Sequence, residues 1–179
     1  MSARSRTFAR VLRPLLITGP PAVGKSSAAR LLAQGQPASA LLEVDDLRQL
    51  VIAGSAPAWA PGEGARQTRL AAAHACTLMS SFSAAGFDVV ATDVLLWDAG
   101  SVYRDHPAAP LVVHVHVPLE EALRRAATRH VHLTDQEFRH LHAAERGAAF
   151  ADVDVDATRL TLAELTEVIA GLWSQHGRA

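Results

Sequence analysis

The residues that could do chemistry begin at Gly19–Ser26, which reads Gly-Pro-Pro-Ala-Val-Gly-Lys-Ser and matches the Walker A pattern G-x-x-x-x-G-K-[ST]. In such a loop the backbone N–H groups wrap around phosphates, and the next helix points its positive end at the same anion. The pattern predicts Lys25 at the β- and γ-phosphates and the hydroxyl of Ser26 on Mg²⁺. We therefore expect ATP and Mg²⁺ as ligands. The predicted nucleotide-binding residues are Gly19, Ala22, Val23, Gly24, Lys25, Ser26 and Ser27.

Lys25 is the only lysine in a chain with sixteen arginines, and the chain has no asparagine. A sequence that uses arginine for every other positive charge keeps lysine where a compact ammonium on a flexible stem is needed. The missing asparagine also argues against a GTPase, which would read guanine through an Asn-Lys-x-Asp segment. A kinase is the reaction class that this pattern favours.

Carboxylates follow the second and third predicted strands, where ligands bind in open parallel sheets. Asp45 is the predicted general base for an acceptor hydroxyl, and Arg48 would fix the acceptor or the transferring phosphate. Asp93 suits either a water molecule on Mg²⁺ or an acceptor hydroxyl. Solvated turns with helix caps are the alternative. Asp46 and Gln49 resemble a capping box, which would give Asp46 a structural role and leave Asp45 for chemistry.

Arginines and one tryptophan complete the candidate site. Arg125 and Arg129 are four residues apart on a predicted helix and would close over the triphosphate as a lid, with Arg129 acting in catalysis. A solvated basic face paired with acids of the same helix is the alternative. Trp59 lies in a Pro/Gly-rich loop expected to meet the acceptor, followed by Arg66 and Arg69 as further acceptor-binding residues. Trp59 could equally pin this loop to the body.

Apolar runs that alternate with helical patterns must position these residues. The predicted strands are 15–18, 40–44, 89–92, 111–117 and 151–155. The predicted helices are 25–34, 46–53, 65–85, 119–128, 134–146 and 161–173. The alternation predicts an α/β fold of three layers, a P-loop NTPase with five parallel strands and helices on both faces, similar to nucleoside monophosphate kinases. We expect a basic tail over 1–13 and one domain over 14–179, as a monomer or homodimer.

Composition narrows the function classes. A net charge of -1 gives no general basic field for nucleic acid, and no apolar run approaches the ~20 residues of a membrane helix. The single cysteine, Cys76, excludes an intrachain disulfide and is expected to be buried. We expect a cytoplasmic protein. His114 and His116 face one side of the fourth strand, as a pair of metal ligands would, but no cysteine or carboxylate is spaced to complete a zinc site. We therefore expect these histidines to be packing residues.

These motifs resemble the P-loop kinases that include phage polynucleotide kinase, chloramphenicol phosphotransferase and zeta toxins. The resemblance rests on the phosphate loop and on 45–49, which is similar to an Asp-Asp-aromatic-Arg-Gln segment. It implies Asp45 as general base, Arg48 on a substrate phosphate and Asp93 as the strand-ending acid. It also implies lid arginines at Arg125 and Arg129.

Three functions remain open at this stage. The first is a kinase for a hydroxyl of a small molecule, either a metabolite or an antibiotic. The second is a polynucleotide or nucleotide kinase, which would need several converging arginines at the acceptor loop. The third is a regulatory or toxin-like nucleotide-binding protein, which would transfer no phosphate to added hydroxyl compounds.

Overall fold

The computed structural model describes residues 11–107, 109–128 and 133–176 of the chain. In this part of the chain there are five strands and seven α-helices. The strands are β1 (Leu15–Thr18), β2 (Ser39–Glu43), β3 (Asp88–Thr92), β4 (Leu111–His116) and β5 (Val153–Asp156). The helices are α1 (Lys25–Gln34), α2 (Val44–Gln49), α3 (Glu63–Ala84), α4 (Ala99–Asp105), α5 (Leu119–Ala126), α6 (Asp135–Ala144) and α7 (Leu162–His176).

The five strands form one parallel sheet in the order β2-β3-β1-β4-β5. Because all strands run the same way, their carboxyl ends meet at one edge. Strands β2 and β3 lie on one lateral side of β1, and strands β4 and β5 lie on its other side. The end of β1 is therefore the point where the strand order reverses. Ligands bind at such points in open α/β sheets. The predicted arrangement of parallel strands between two helical layers is confirmed.

Alternate residues of the strands build two apolar cores. On one face Leu15, Ile17 and Val113 pack in the cluster that also holds residues of α1 and α7. On the other face Leu16 and Val112 pack with residues of α3 and α4. Burial on both faces explains why these strands read as continuous apolar runs rather than alternating ones.

Helix α3 runs for 22 residues along the second face. Its Cys76 is buried, as predicted, and burial with the nearby charge of Asp93 raises the pKa of this thiol to about 11. A thiol in that state is unreactive near neutral pH. Neither α3 nor any other described helix is long and apolar enough to cross a membrane.

The residues predicted to end the basic tail are held on the body. The N–H of Leu12 donates to the carboxylate of Asp88 at 2.7 Å, and the guanidinium of Arg13 donates to the carbonyl oxygens of Ala109 and Pro110. The indole N–H of Trp173 donates to the carbonyl oxygen of Arg13 at 2.7 Å. Residues 12 and 13 therefore tie the start of β1 to α7.

The structure differs from the predicted elements in three main places. Strand β2 ends at Glu43 and α2 begins at Val44, because Val44 buries its apolar side chain as the first helical residue rather than as the last strand residue. Helix α4 was not predicted, since its seven residues begin with Ala99-Gly100 and give too short an apolar pattern. Strand β5 lies two residues later at its start than the apolar run indicated.

Candidate active site

The phosphate loop lies between β1 and α1 and owes its shape to residues in left-handed conformations. Gly19, Ala22 and Gly24 have φ of 134°, 64° and 106°. A Cβ at Gly19 would overlap the carbonyl oxygen of Val115, so only glycine fits where this loop passes β4. Lys25 lies under the loop, and its ammonium donates to the carbonyl oxygens of Gly19 and Pro20 at 2.7 Å each.

The N-terminus of α1 is left open toward this loop. Gly24 is its N-cap residue, no described side chain caps it, and its first turn contains no acidic residue. No described side chain therefore competes with an anion at this helix end, and the helix dipole favours negative charge there. Both features fit the phosphates that the sequence predicts.

A cavity of about 520 Å³ opens beside the loop at the carboxyl edge of the sheet. It brings together residues that four different segments supply, from the phosphate loop, from α2, from the loop before α3 and from the end of β3. The predicted site residues in its lining are Ala22, Lys25, Ser26, Asp45, Arg48, Trp59 and Asp93. The order β2-β3-β1 explains this convergence, because it sets the ends of β2 and β3 next to the loop that follows β1.

Asp45 and Asp46 are the second and third residues of α2. Asp45 lines the cavity, whereas Asp46 is absent from the described lining. The prediction that Asp46 caps this helix is wrong. The N-cap residue is Glu43, with extended backbone and no side-chain cap hydrogen bond, because the helix starts three residues earlier than the pattern with Gln49 implied.

Asp93 is buried at the end of β3, where Tyr103 of α4 meets it. The hydroxyl of Tyr103 donates to Oδ2 of Asp93 at 2.8 Å, and the N–H of Val94 donates to Oδ1 at 2.8 Å. Burial raises the pKa of Asp93 to about 7, although both hydrogen bonds lower it; the charge of Asp45 adds to the rise. Sequence reasoning missed Tyr103, since only tertiary packing brings α4 to this strand.

Arg48 reaches across α2 into the cavity. One of its terminal nitrogens donates to the carbonyl oxygen of Ala56 at 3.2 Å. Its Nε is buried and has no hydrogen-bond partner among the described residues. A buried guanidinium nitrogen without a partner is costly, and Arg48 thus keeps one unpaired donor beside the cavity that it lines.

The opposite end of the cavity is apolar. Ala58, Leu96 and Leu141 form a small buried cluster, against which Trp59 and Val94 pack. Trp59 also lies 6.3 Å from the ring of His140 on α6, at a tilted angle. Trp59 therefore contacts the protein body and lines the cavity at once, so both roles considered for it in the sequence have a structural basis.

Arg66 and Arg69 do not line the cavity. The guanidinium of Arg66 forms a two-fold hydrogen-bonded pair with Glu63 at 2.7 and 2.8 Å on the exposed side of α3. Arg69 pairs with Asp98. Each arginine is paired with an acidic side chain outside the cavity lining. The structure gives no support to their predicted role at the acceptor.

Arg125 lies on the other side of the phosphate loop, at a second cavity of about 390 Å³ that Val23, Gly24 and Ser27 also line. Its guanidinium donates to Glu121 at 2.7 Å, to the carbonyl oxygen of Ala157 at 2.8 Å and to that of Val23 at 3.4 Å. The predicted lid partner Arg129 lies outside the described residues.

Known proteins resemble this chain in structure. No family model and no curated protein sequence matches the chain. A sugar kinase from Janibacter sp. HTCC2649 has a TM-score of 0.69 at 18% identity, covering 92% of this chain and 95% of its own. A gluconokinase from Sinorhizobium meliloti 1021 has a TM-score of 0.67 at 17% identity, covering 94% and 95%. Shikimate kinase from Acinetobacter baumannii, solved with shikimate, has a TM-score of 0.64 at 18% identity, covering 95% and 97%. The chain therefore has the three-layer P-loop fold of nucleoside-monophosphate-kinase-like proteins.

Proposed function

We propose that the chain is an ATP-dependent kinase that transfers the γ-phosphate of ATP to a hydroxyl of a small molecule. The observation that carries this proposal is the shared cavity, which Lys25 and Ser26 of the phosphate loop line together with Asp45 and Arg48. Phosphoryl transfer needs a phosphate cradle and a group that accepts the proton of the attacking hydroxyl. Both are present in one space.

In the proposed reaction the acceptor oxygen attacks the γ-phosphorus while the bond to the β–γ bridging oxygen breaks. ADP leaves with that electron pair. Asp45 takes the proton of the acceptor hydroxyl, and the free donor of Arg48 orients the acceptor or the transferring phosphate. Lys25 neutralises charge on the β- and γ-phosphates once it exchanges its loop carbonyls for phosphate oxygens.

The donor set in the cavity fits Mg²⁺, which prefers oxygen ligands and keeps several waters. The hydroxyl of Ser26 would hold the ion directly, and the carboxylate of Asp93 would hold it through water. When bound, the ion would neutralise charge on the phosphates. Arg125, which lies against the loop at Val23, is proposed to act on the triphosphate from there. A second arginine, Arg129, is outside the described residues and is proposed to act on the triphosphate as well.

The cavity also bears on the acceptor. Its buried apolar end, at Ala58, Leu96 and Leu141, favours an acceptor with an apolar portion next to the reactive hydroxyl. Among the described lining residues Arg48 supplies the one guanidinium, whereas a nucleic-acid end needs several. The neighbours named as sugar kinase, gluconokinase and shikimate kinase further support a small acceptor. The finer likeness to polynucleotide kinase and chloramphenicol phosphotransferase remains a prediction.

The test is a screen of hydroxyl-bearing metabolites and antibiotics with ATP and Mg²⁺, read by mass spectrometry for the gain of one phosphate. A Lys25→Ala protein purified in the same way controls for contaminating kinases. The proposal expects at least one product that the wild type forms and the variant does not. An ATP-binding protein that phosphorylates nothing in a broad panel would favour the regulatory alternative instead.

A further inference from the structure

A second cluster of charged groups lies outside the reaction cavity, around His114 on β4. Its Nδ1 is 2.6 Å from Oδ1 of Asp154 on β5, and its Nε2 is 3.1 Å from Oε2 of Glu145 after α6. An ionised carboxylate only accepts hydrogen bonds. With both acids ionised, both ring nitrogens of His114 donate, which makes the ring an imidazolium shared between two acids.

The surroundings of His114 maintain that charge. The side chains of His114 and Glu145 are only 7% and 6% exposed, while Asp154 reaches solvent. His116 on the same strand stacks on His114 at 5.7 Å and contacts the other oxygen of Asp154 at 3.4 Å. Burial lowers the pKa of His114, but Glu145 and Asp154 outweigh it and raise the pKa above its ordinary value. The described residues contain no group of three ligands that could hold a metal here.

The cluster fixes the end of α6. Glu145 is the C-cap residue that follows this helix, and its Oε1 accepts the N–H of Gly147 at 2.5 Å. The same oxygen accepts the hydroxyl of Thr18 at 3.4 Å, and Thr18 is the last residue of β1 before the phosphate loop. Helix α6 in turn supplies Leu141 to the apolar wall of the reaction cavity.

We propose that protonated His114 is a positioning residue for the kinase site, because it holds Glu145 in place and thereby fixes α6 and its cavity wall against the phosphate loop. The inference rests on the proposed function only where it treats the cavity as the acceptor site. If His114 loses its proton, one carboxylate loses its donor. Glu145 keeps the donors Gly147 and Thr18 but loses the positive charge that compensates it in a buried position. The turn at 145–147 is then destabilised and α6 loosens.

The sign of the pH dependence follows from the charge. The raised pKa of His114 means that the anchoring is complete below the ordinary value of 6.5 and is lost as the pH rises through the value in the folded protein. We expect α6 to be protected from amide hydrogen exchange at pH 6. At alkaline pH its protection factors, corrected for intrinsic exchange, should fall about tenfold or more, while those of α7 stay constant.

Variants separate this role from plain packing. His114→Gln should loosen α6 at every pH and abolish the pH step, since glutamine is neutral and cannot compensate both acids. His114→Gln with Glu145→Gln should restore protection, because the buried charge is gone. His74→Gln, at an exposed position of α3, is the control and should retain the wild-type step.

Amide hydrogen exchange can be measured on the wild-type protein alone, so this test needs neither an acceptor nor a folded variant. A pH-independent α6 in the wild type would overturn the proposal, and so would a pH step that persists in His114→Gln. Failure of phosphoryl transfer would instead count against the proposed function and leave the exchange result standing.

Discussion

The hydroxyl of Tyr103 donates a 2.8 Å hydrogen bond to Oδ2 of Asp93, and both side chains are buried beneath the reaction cavity. A carboxylate that is ionised while buried there lowers the stability of the folded protein. Burial raises the pKa of Asp93 from 3.8 to about 7. The folded state therefore keeps its proton at pH values where the unfolded chain has already released it.

This difference predicts how stability depends on pH. Between about pH 4 and pH 7 the unfolded state binds fewer protons at this site, so wild-type stability falls as the pH rises. Asp93→Asn removes the penalty and should stabilise the free protein at pH 8 by up to about 4 kcal/mol, with no gain near pH 4. Thermal unfolding without Mg²⁺ or nucleotide, at pH values from 4 to 8, measures the difference.

The variant Tyr103→Phe tests the cause of the Asp93 pKa in the same unfolding experiment. Because the hydrogen bond from Tyr103 lowers the pKa of Asp93, its loss should move the pH window of destabilisation upward. A stability difference between Asp93→Asn and wild type that is the same at every pH would contradict the assignment of a raised pKa.

A comparison of Gly19 with Gly171 tests whether the backbone geometry at Gly19 specifically requires glycine. Gly19 has φ 134°, and an added Cβ would meet the backbone oxygen of Val115, which cannot move cheaply. Gly19→Ala should cost about 3 kcal/mol or more of unfolding free energy. Gly171 in α7 has open space around its added Cβ, so Gly171→Ala should stabilise by about 0.5–1 kcal/mol. Urea unfolding compares them, and losses of similar size would refute the argument.

Local patterns predicted the part of the site that local sequence controls. The phosphate loop and β1 follow from one motif and one apolar run. Asp45, Arg48 and Asp93 reach the same cavity because parallel strands end at one edge. These inferences needed only element order and the direction of the strands.

Contacts between distant segments could not be predicted in the same way. Tyr103 meets Asp93 only because a short unpredicted helix packs on α3, and the acids around His114 come from residues 31 and 40 positions away. The ion-pair partner of an arginine also could not be predicted from the sequence. Arg66 and Arg69 were expected to bind the acceptor, but each forms an ion pair with an acidic side chain instead. The capping assignment of Asp46 failed because Val44 suits a strand and a first helical turn alike.

Lys25 tests whether charge or geometry matters in the phosphate loop. Its ammonium fits between the carbonyl oxygens of Gly19 and Pro20, in a space where the residue is only 8% exposed. Lys25→Ala should lower turnover or ATP affinity about 100-fold or more. Lys25→Arg should fail similarly, because a planar guanidinium does not fit between those oxygens.

Isothermal titration with an ATP analogue and steady-state kinetics measure these effects. Arg30→Ala is the control, since Arg30 is on α1 but pairs with Glu43 at the surface, and its ATP affinity should stay within about twofold of wild type because exposed pairs contribute little. Near wild-type turnover in Lys25→Arg would show that positive charge alone suffices.

Asp45 and Asp46 give the closest matched pair in the chain. Both lie in the first turn of α2, where a carboxylate interacts with the helix dipole by about 0.3–1 kcal/mol, so asparagine should change stability by a similar small amount at either position. Only Asp45 lines the cavity. A difference in activity between the two variants would therefore report on which carboxylate acts as the base rather than on folding.

Asp45→Asn should lower the turnover number by about 10²–10⁴-fold, the usual contribution of general-base catalysis, with ATP affinity and melting temperature close to wild type. Asp46→Asn should keep turnover within about tenfold. The measurements are transfer to the acceptor identified by the screen, slow ATP hydrolysis with water as acceptor, and thermal unfolding. If Asp46→Asn is inactive and Asp45→Asn is active, Asp46 is the base and must turn toward the cavity when substrates bind. Equal loss in both variants would mean that the helix dipole, not a single proton acceptor, is what the site requires at this position.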